Sequence, residues 1–172
     1  YKSPEPLLDD QYFDRNSAIE FAVAHDDGKD PKGFLEADVE ILGISRTSKT
    51  PLSIFLANNN NYKVANLPLL PESVLPEEIW QVNPKRIIGL TNDVEVLREI
   101  RKERMISYGL DPETIYSDEQ RIQEEINYAN ALYKELNCKI INVANKSIEE
   151  TAAGIVNYLN EEGLYHIIQI SE

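Results

Sequence analysis

The sequence predicts an α/β fold with three layers, in which a mainly parallel sheet of about four to five strands lies between helices. Three observations support this prediction. Short aliphatic runs alternate with segments of helical periodicity. A polar segment that begins with glycine joins the first of these runs to a helix. The chain has 172 residues, of which 42% are hydrophobic, and this is enough for one domain with a buried core.

Four runs of β-branched or aliphatic residues are predicted to be buried strands, because each is short and is bounded by turn residues. They comprise residues 39–42, 63–67, 86–90 and 139–143. Residues 166–170 are predicted to form a short edge strand or a tail. Strands that alternate with helices form βαβ units, so the sheet should be mostly parallel.

Helical segments are predicted where apolar residues recur every three or four positions. They include residues 11–24, 52–57, 93–105, 122–136 and 148–159. Ser117 with Gln120, and Ser147 with Glu150, have the spacing of capping boxes at the start of the last two helices. Gly163 suits the position just after the final helix, because glycine readily adopts a positive φ there.

The chain is acidic, with 17 basic and 30 acidic side chains and a formal net charge of −13. This argues against a nucleic-acid-binding protein, which would need a basic surface. No apolar run approaches the roughly 20 residues of a membrane-spanning helix. The single cysteine, Cys138, cannot form an internal disulfide, which indicates a reducing compartment. We therefore expect a cytoplasmic protein that binds neither nucleic acid nor membrane.

Residues 43–50 nearly fit the phosphate-loop pattern G-x-x-x-x-G-K-[ST], with Ser48 where the pattern has glycine. In such a loop, backbone N–H groups would bind phosphate oxygens, Lys49 would neutralise the terminal phosphate, and the Thr50 hydroxyl would ligate Mg²⁺. The alternative is a polar strand-to-helix turn without a ligand. The predicted cofactor-binding residues of this segment are Gly43, Ile44, Ser45, Arg46, Thr47, Ser48, Lys49 and Thr50.

Basic residues are concentrated in the middle of the chain. Residues 41–105 have 9 basic and 7 acidic side chains, whereas both flanking regions are strongly acidic. This distribution indicates either a local anion site or scatter on solvated surfaces.

Arg101 and Arg104 lie on or beside the buried face of their predicted helix. They are predicted to reach an anionic ligand, although long arginine side chains at a helix end can also extend to solvent. If they do reach the ligand, their replacement by alanine should lower activity with little loss of stability.

Several segments together resemble the pyruvate, phosphate dikinase regulatory protein family. They are HDDG at 25–28, GISRTSKTPLS at 43–53, YKVAN at 62–66, GLT at 89–91 and IRKER at 100–104. The resemblance extends from about residue 12 over nearly the whole chain. Family members have a further N-terminal region, so this chain, which begins at Tyr1, is expected to be the C-terminal, nucleotide-binding portion. It would form a single P-loop-kinase-like domain over residues 1–172, with residues 1–36 leading into it.

The resemblance implies a bifunctional serine/threonine kinase and pyrophosphorylase. Such proteins phosphorylate a threonine of a phosphoenolpyruvate-forming dikinase with ADP as donor, and they remove the group by phosphorolysis with inorganic phosphate, which yields pyrophosphate. The implied ligands are ADP, inorganic phosphate and Mg²⁺. The implied partner is pyruvate, phosphate dikinase or the related water dikinase, and a homo-oligomer is left open.

This chemistry needs a base for the threonine hydroxyl as well as cationic groups for the phosphates. With the resemblance in view, the catalytic candidates are His25, Asp26 and Asp27, together with Lys49. Any of the first three could be the base. The same residues would also suit a turn at the end of a helix, so the sequence does not choose between these readings.

Two other functions remain compatible with a phosphate loop. One is an ATP-dependent kinase of a small metabolite or nucleotide, and the other is a nucleotide-sensing module without turnover. The first would need a pocket for its small acceptor, for which the sequence has no dedicated motif.

Overall fold

Four parallel strands form one sheet in the computed structural model, which describes residues 16–26, 31–72, 74–111, 113 and 117–164. The strands are β1 (Val39–Gly43), β2 (Val64–Pro68), β3 (Ile87–Thr91) and β4 (Lys139–Asn142). All four predicted strands are present, with ends that differ from the prediction by one residue at most. The predicted edge strand at 166–170 lies outside the described residues.

Helices cover both faces of this sheet, which confirms the α/β class and the three layers. They are α1 (residues 16–24), α2 (Lys49–Asn60), α3 (Val94–Ser107), α4 (Glu119–Leu136) and α5 (Ile148–Glu161). Leu56 of α2 and Ile155 of α5 pack with Ile41 of β1 on one face. Leu97 of α3 and Ile126 of α4 belong to the core on the other face. The described part of α1 packs against α2 through small side chains.

The ends of the last two helices test the predicted caps. Ser147 caps α5 as predicted, since its hydroxyl accepts a hydrogen bond from the Glu150 N–H at 3.1 Å. Gly163 follows this helix with φ 67°, also as predicted. The cap predicted for α4 is wrong, because the chain enters that helix one residue later, at Asp118, and Ser117 is buried instead.

The strand order places a crevice beside β1. The order is β2-β1-β3-β4, so the connections after β1 and β3 lead away from each other. In open parallel sheets, ligands bind at such a switch point, outside the carboxyl ends of the strands. The residues that follow β1 therefore occupy the position where this fold most often builds a site.

Gly89 and Gly154 allow a paired test of core packing. A Cβ on Gly89 in β3 would lie 2.7 Å from ring atoms of Tyr133, whose hydroxyl donates to the Leu90 carbonyl at 2.8 Å and so cannot easily move. We expect Gly89→Ala to lower the free energy of unfolding by about 1–3 kcal/mol. Nothing lies near a Cβ on Gly154 in α5. Gly154→Ala should therefore raise the free energy of unfolding by about 0.5–1 kcal/mol. Urea denaturation of both variants measures the two effects.

Glu40 introduces a pH dependence into the stability of the sheet. Its side chain is 1% exposed, and its carboxylate oxygens have no hydrogen-bond partner among the described residues. Burial raises the pKa of Glu40 from 4.5 to about 9. The folded protein therefore keeps this proton between those values while the unfolded chain loses it, so stability decreases as the pH rises through this window.

The variant Glu40→Gln should remove this contribution, because a glutamine side chain does not titrate. We expect the stability difference between the variant and the wild type to grow in favour of the variant from pH 5.5 to pH 8.5. Its slope should not exceed about 1.4 kcal/mol per pH unit. Denaturation curves at both pH values measure this stability difference. A difference that does not change with pH would contradict the raised pKa of Glu40.

Candidate functional site

The connection from β1 to α2, here called the β1–α2 loop (residues 43–50), folds tightly back on itself. The Thr47 hydroxyl donates to the Ile44 carbonyl at 2.7 Å and closes the turn. A Cβ on Gly43 would lie 2.5 Å from that hydroxyl oxygen, so this position requires glycine. The resulting turn places the loop at the carboxyl edge of the sheet, directly before the first turn of α2.

Two residues other than glycine in this loop adopt left-handed backbone conformations. Arg46 has φ 68° and Ser48 has φ 67°. Such conformations cost of order 1–3 kcal/mol each and persist only where the surrounding structure imposes them, often at ligand sites. The serine at the position where the phosphate-loop pattern has glycine thus adopts a conformation that glycine would adopt without strain.

Lys49 extends along the inside of the loop. Its Nζ donates to the Ile44 carbonyl at 3.0 Å, and the residue is only 7% exposed. The ammonium group is therefore held under the loop by the Ile44 carbonyl instead of extending into solvent. This is a suitable place for a positive charge that must neutralise an anion bound over the loop.

Asp26 joins the end of the first helical segment to the start of α2. Its Oδ1 accepts hydrogen bonds from the Thr50 hydroxyl at 2.7 Å and from the Asn66 amide at 2.8 Å. The same Asn66 amide lies 3.2 Å from the Ser53 hydroxyl. The structure therefore brings together two residues predicted for the site, Asp26 and Thr50, although 24 positions separate them in the sequence.

The other two candidates for the base differ from Asp26 in position. His25 is buried, stacks on the ring of Phe21 and donates from Nδ1 to the Phe21 carbonyl at 2.8 Å. Its ring also covers Gly33, where a Cβ would lie 2.0 Å from the imidazole. These contacts are those of a packed core residue. Asp27 lies outside the described residues.

Arg101 lies on the buried face of α3, as the sequence predicts, and contacts the β1–α2 loop there, while its predicted contact with an anionic ligand stays a prediction. Its guanidinium is fully buried, pairs with Glu125 at 3.0 Å and donates to the Ser45 carbonyl at 3.1 Å. A buried carboxylate attracts this side chain inward, a contact that the helical pattern of α3 alone does not reveal. Arg104 is half-buried, with its guanidinium 4.6 Å from the centre of the Tyr108 ring. Its predicted contact with an anion stays a prediction.

This geometry changes the effect expected from replacing Arg101. Removal of the guanidinium leaves Glu125 as a buried charge, and we expect Arg101→Met to lower the free energy of unfolding by roughly 3–5 kcal/mol. The loss should be near the lower end, because Arg121 Nε also contacts Glu125, at 3.2 Å. Arg98→Met on the same helix serves as the control, because Arg98 forms a long ion pair of 3.7 Å with Glu113, which is exposed. Equal and small losses of stability for the two variants in thermal denaturation would contradict this role of Arg101.

Two cavities lie against the β1–α2 loop and share Arg46, Ser48 and Ile100. The larger, of about 470 Å³, also contacts Lys49 and Thr50. The smaller, of about 270 Å³, extends between α3 and the connection from β4 to α5, where it meets Asn145 and Lys146. The loop can therefore hold one part of a ligand while other parts lie on either side of it.

Residues 3–156 match the kinase/pyrophosphorylase family. The chain belongs to the kinase/pyrophosphorylase family. The family thus agrees with the resemblance inferred from the loop and its flanking segments, and the β1–α2 loop lies within the matched residues.

Two curated relatives show how similar this chain is to known members of the family. A protein of Lactobacillus helveticus is 65% identical over 152 residues, which are 88% of this chain and 54% of the relative. A protein of Lactiplantibacillus plantarum is 60% identical over 155 residues, 90% of this chain and 57% of the relative. The names of both contain "pyruvate, phosphate dikinase regulatory protein". The chain spans about half the length of the curated relatives it matches.

Two features of this kinase/pyrophosphorylase chain were not predicted as parts of the site. Asn66 is a buried polar residue inside an otherwise apolar strand, and that position could have indicated its contact with Asp26. Asn145 has φ 57° and lines the smaller cavity, but a single asparagine after a strand gives no such signal.

Among the described residues, no helix is both long and apolar enough to cross a membrane.

Proposed function

We propose that this protein is a regulatory enzyme that phosphorylates a threonine of pyruvate, phosphate dikinase with ADP and removes the phosphoryl group by phosphorolysis. The observation that carries the proposal is the Asp26–Thr50 hydrogen bond beside the β1–α2 loop and the buried Lys49. A candidate base (Asp26), a hydroxyl (Thr50) and a cation (Lys49) therefore lie together at the switch point of the sheet. The family membership and the names of the relatives support the reaction and the target.

In the kinase direction, the threonine oxygen attacks the β-phosphorus of ADP. A bond forms between these atoms while the bond from the β-phosphorus to the bridging oxygen breaks, and AMP leaves. Asp26 accepts the hydroxyl proton, because its carboxylate is hydrogen-bonded to Thr50 of the loop. Lys49 and the N–H groups at the start of α2 stabilise the negative charge on the transferred group.

The residues at this place also fit Mg²⁺. Asp26 supplies a carboxylate and Thr50 a hydroxyl, and hard oxygen donors of this kind, together with phosphates and water, are what Mg²⁺ prefers. Asp26 and Thr50 would hold the ion, which would neutralise charge on the phosphates when bound. In the structure, Asn66 orients Asp26 toward the loop.

The dephosphorylation is the same transfer in the opposite direction with a smaller partner. An oxygen of inorganic phosphate attacks the phosphorus of phosphothreonine, the bond to the threonine oxygen breaks, and pyrophosphate leaves. The threonine oxygen then takes up a proton from Asp26. Inorganic phosphate and pyrophosphate correspond to AMP and ADP without the nucleoside, so one loop can serve both reactions.

The choice of donor tests the proposal. ADP should support threonine phosphorylation, whereas ATP should do so poorly, because its additional phosphate would occupy the place of the threonine or displace the reacting atoms. A misplacement of about 1 Å can lower a rate on the order of a hundredfold. Arg46 and Ser48, which line both cavities, are the side chains proposed to limit this space.

The measurement is the initial rate of AMP formation and of threonine phosphorylation with purified pyruvate, phosphate dikinase. Adenylate kinase must be absent, so that ADP and ATP do not interconvert. A parallel reaction with the water dikinase identifies the target. Equal rates with ATP would favour an ordinary kinase, and nucleotide binding without turnover on either dikinase would favour a sensing module.

A further inference from the structure

We propose that Asn66 is a positioning residue, which holds the Asp26 carboxylate in place for phosphoryl transfer in both directions. This role rests on the proposed function, in which Asp26 serves the proton or the metal. Asn66 lies on β2, outside the β1–α2 loop, and borders neither of the two cavities. It therefore acts on the reaction through Asp26 and not through a contact with the ligand.

Asn66 joins the segment that carries Asp26 to the sheet at two points. Its backbone N–H donates to the His25 carbonyl at 3.3 Å, and its side-chain amide donates to Asp26 Oδ1 at 2.8 Å. Asn66 itself is fixed, because it pairs with Ile41 in the parallel register of β2 and β1. The carboxylate is therefore held by a residue of the central sheet as well as by the helix that precedes it.

The second donor of the Asn66 amide also has a partner. Nδ2 carries two N–H groups, and it lies 3.2 Å from the Ser53 hydroxyl oxygen in addition to its contact with Asp26. The Ser53 hydroxyl in turn donates to the Lys49 carbonyl at 2.8 Å. Asn66 and Ser53 are each 1% exposed, so these bonds are shielded from water. This chain of hydrogen bonds links the carboxylate to the first turn of α2, where Lys49 lies.

The bonds to Asp26 leave one of its two oxygens for a ligand. Thr50 and Asn66 both donate to Oδ1, and the part of the chain that the structure describes donates no hydrogen bond to Oδ2. The Asn66 amide is neutral, so it orients the carboxylate without cancelling its charge. Asp26 thereby keeps both a charge and an oxygen for a proton or for Mg²⁺.

A positioning role predicts a larger effect on the rate than on affinity. A displacement of about 1 Å between reacting groups can lower a rate on the order of a hundredfold. The groups proposed to bind the phosphates, however, lie on the β1–α2 loop and at Lys49. Loss of the Asn66 amide should therefore lower kcat and leave the affinity for ADP nearly unchanged.

The experiment is a double-mutant cycle with Asn66→Ala and Asp26→Asn, measured as kcat for AMP formation with purified dikinase. We expect Asn66→Ala alone to lower kcat at least about tenfold. In the Asp26→Asn protein, the same change should lower kcat less than about twofold, because the carboxylate that Asn66 positions is then absent. The Kd for ADP, measured by titration calorimetry without added Mg²⁺, should change less than about twofold in Asn66→Ala.

Two further variants complete the experiment. Asn59→Ala is the matched control and should not change kcat, since the exposed Asn59 amide donates to the Phe55 carbonyl of its own helix at 3.0 Å. Ser53→Ala decides the question if Asn66→Ala does not fold, because it removes one oxygen and leaves the second N–H of Asn66 without this partner. It should lower kcat by about two- to tenfold, and this loss should disappear in the Asp26→Asn protein.

A kcat near that of the wild type in Asn66→Ala would overturn the inference. Equal losses in the wild-type and Asp26→Asn proteins would overturn it as well, because they indicate a general effect on the fold and not an action through the carboxylate. Failure of the proposed function has a different signature, since the wild-type protein itself would then form no AMP with either dikinase, and the positioning role would fall with it.

Discussion

Replacement of Asp26 by asparagine is expected to lower the rate of threonine phosphorylation by about 10²–10⁴-fold, the range for loss of a general base. Asparagine keeps an Oδ1 that can accept from Thr50 and Asn66, as the carboxylate does at 2.7 and 2.8 Å. The substitution therefore removes the charge and the proton acceptor while it preserves the geometry. The measurement is kcat for AMP formation with saturating ADP and dikinase, at several concentrations of Mg²⁺.

The dependence on Mg²⁺ separates the two roles that Asp26 can have. Recovery of the rate at high Mg²⁺ would assign this carboxylate to the metal, whereas a rate that stays low would assign it to the proton. Asp118→Asn is the control, because Asp118 is an exposed helix cap without a side-chain hydrogen bond to its helix. A rate near that of the wild type in Asp26→Asn would move the base to Asp27 or His25.

Lys49→Met is expected to impair both the ADP-dependent and the phosphate-dependent reaction. The variant loses a charge-assisted contact worth about 1.5–3 kcal/mol, which corresponds to about ten- to a hundredfold in affinity. The rates should fall further if the contact strengthens in the transition state. Methionine keeps most of the apolar stem, so the packing under the loop should be retained and the circular dichroism spectrum should not change.

The affinities for ADP and pyrophosphate and the rates in both directions provide the measurement. Lys85→Met is the matched control, because Lys85 is exposed and pairs only across the surface with Glu162 at 3.1 Å. Phosphorolysis at the wild-type rate in Lys49→Met would show that the two reactions use different sites. Such a result would also contradict the single loop on which the proposed function depends.

Local patterns in the sequence determined the secondary structure and the position of the β1–α2 loop. The strands could be located because an aliphatic run between turn residues is a local signal, and β1 ends at Gly43, one residue beyond the predicted run 39–42. The loop could be recognised because its residues are contiguous. The cap of α5 follows the same logic, since Ser147 and Glu150 lie in one turn of one helix.

The tertiary structure alone decided which distant residues meet. Asp26 reaches Thr50 and Asn66 because the segment after α1 crosses the start of α2, and no local pattern encodes a contact over 24 or 40 positions. Arg101 faces inward because Glu125, on a different helix, supplies a buried partner for its charge. The periodicity of α3 placed this arginine near the buried face but could not identify what it would meet there. Burial, pairing and cavity shape arise from packing among elements, and for this reason the sequence predicted the loop but not the groups that support and surround it.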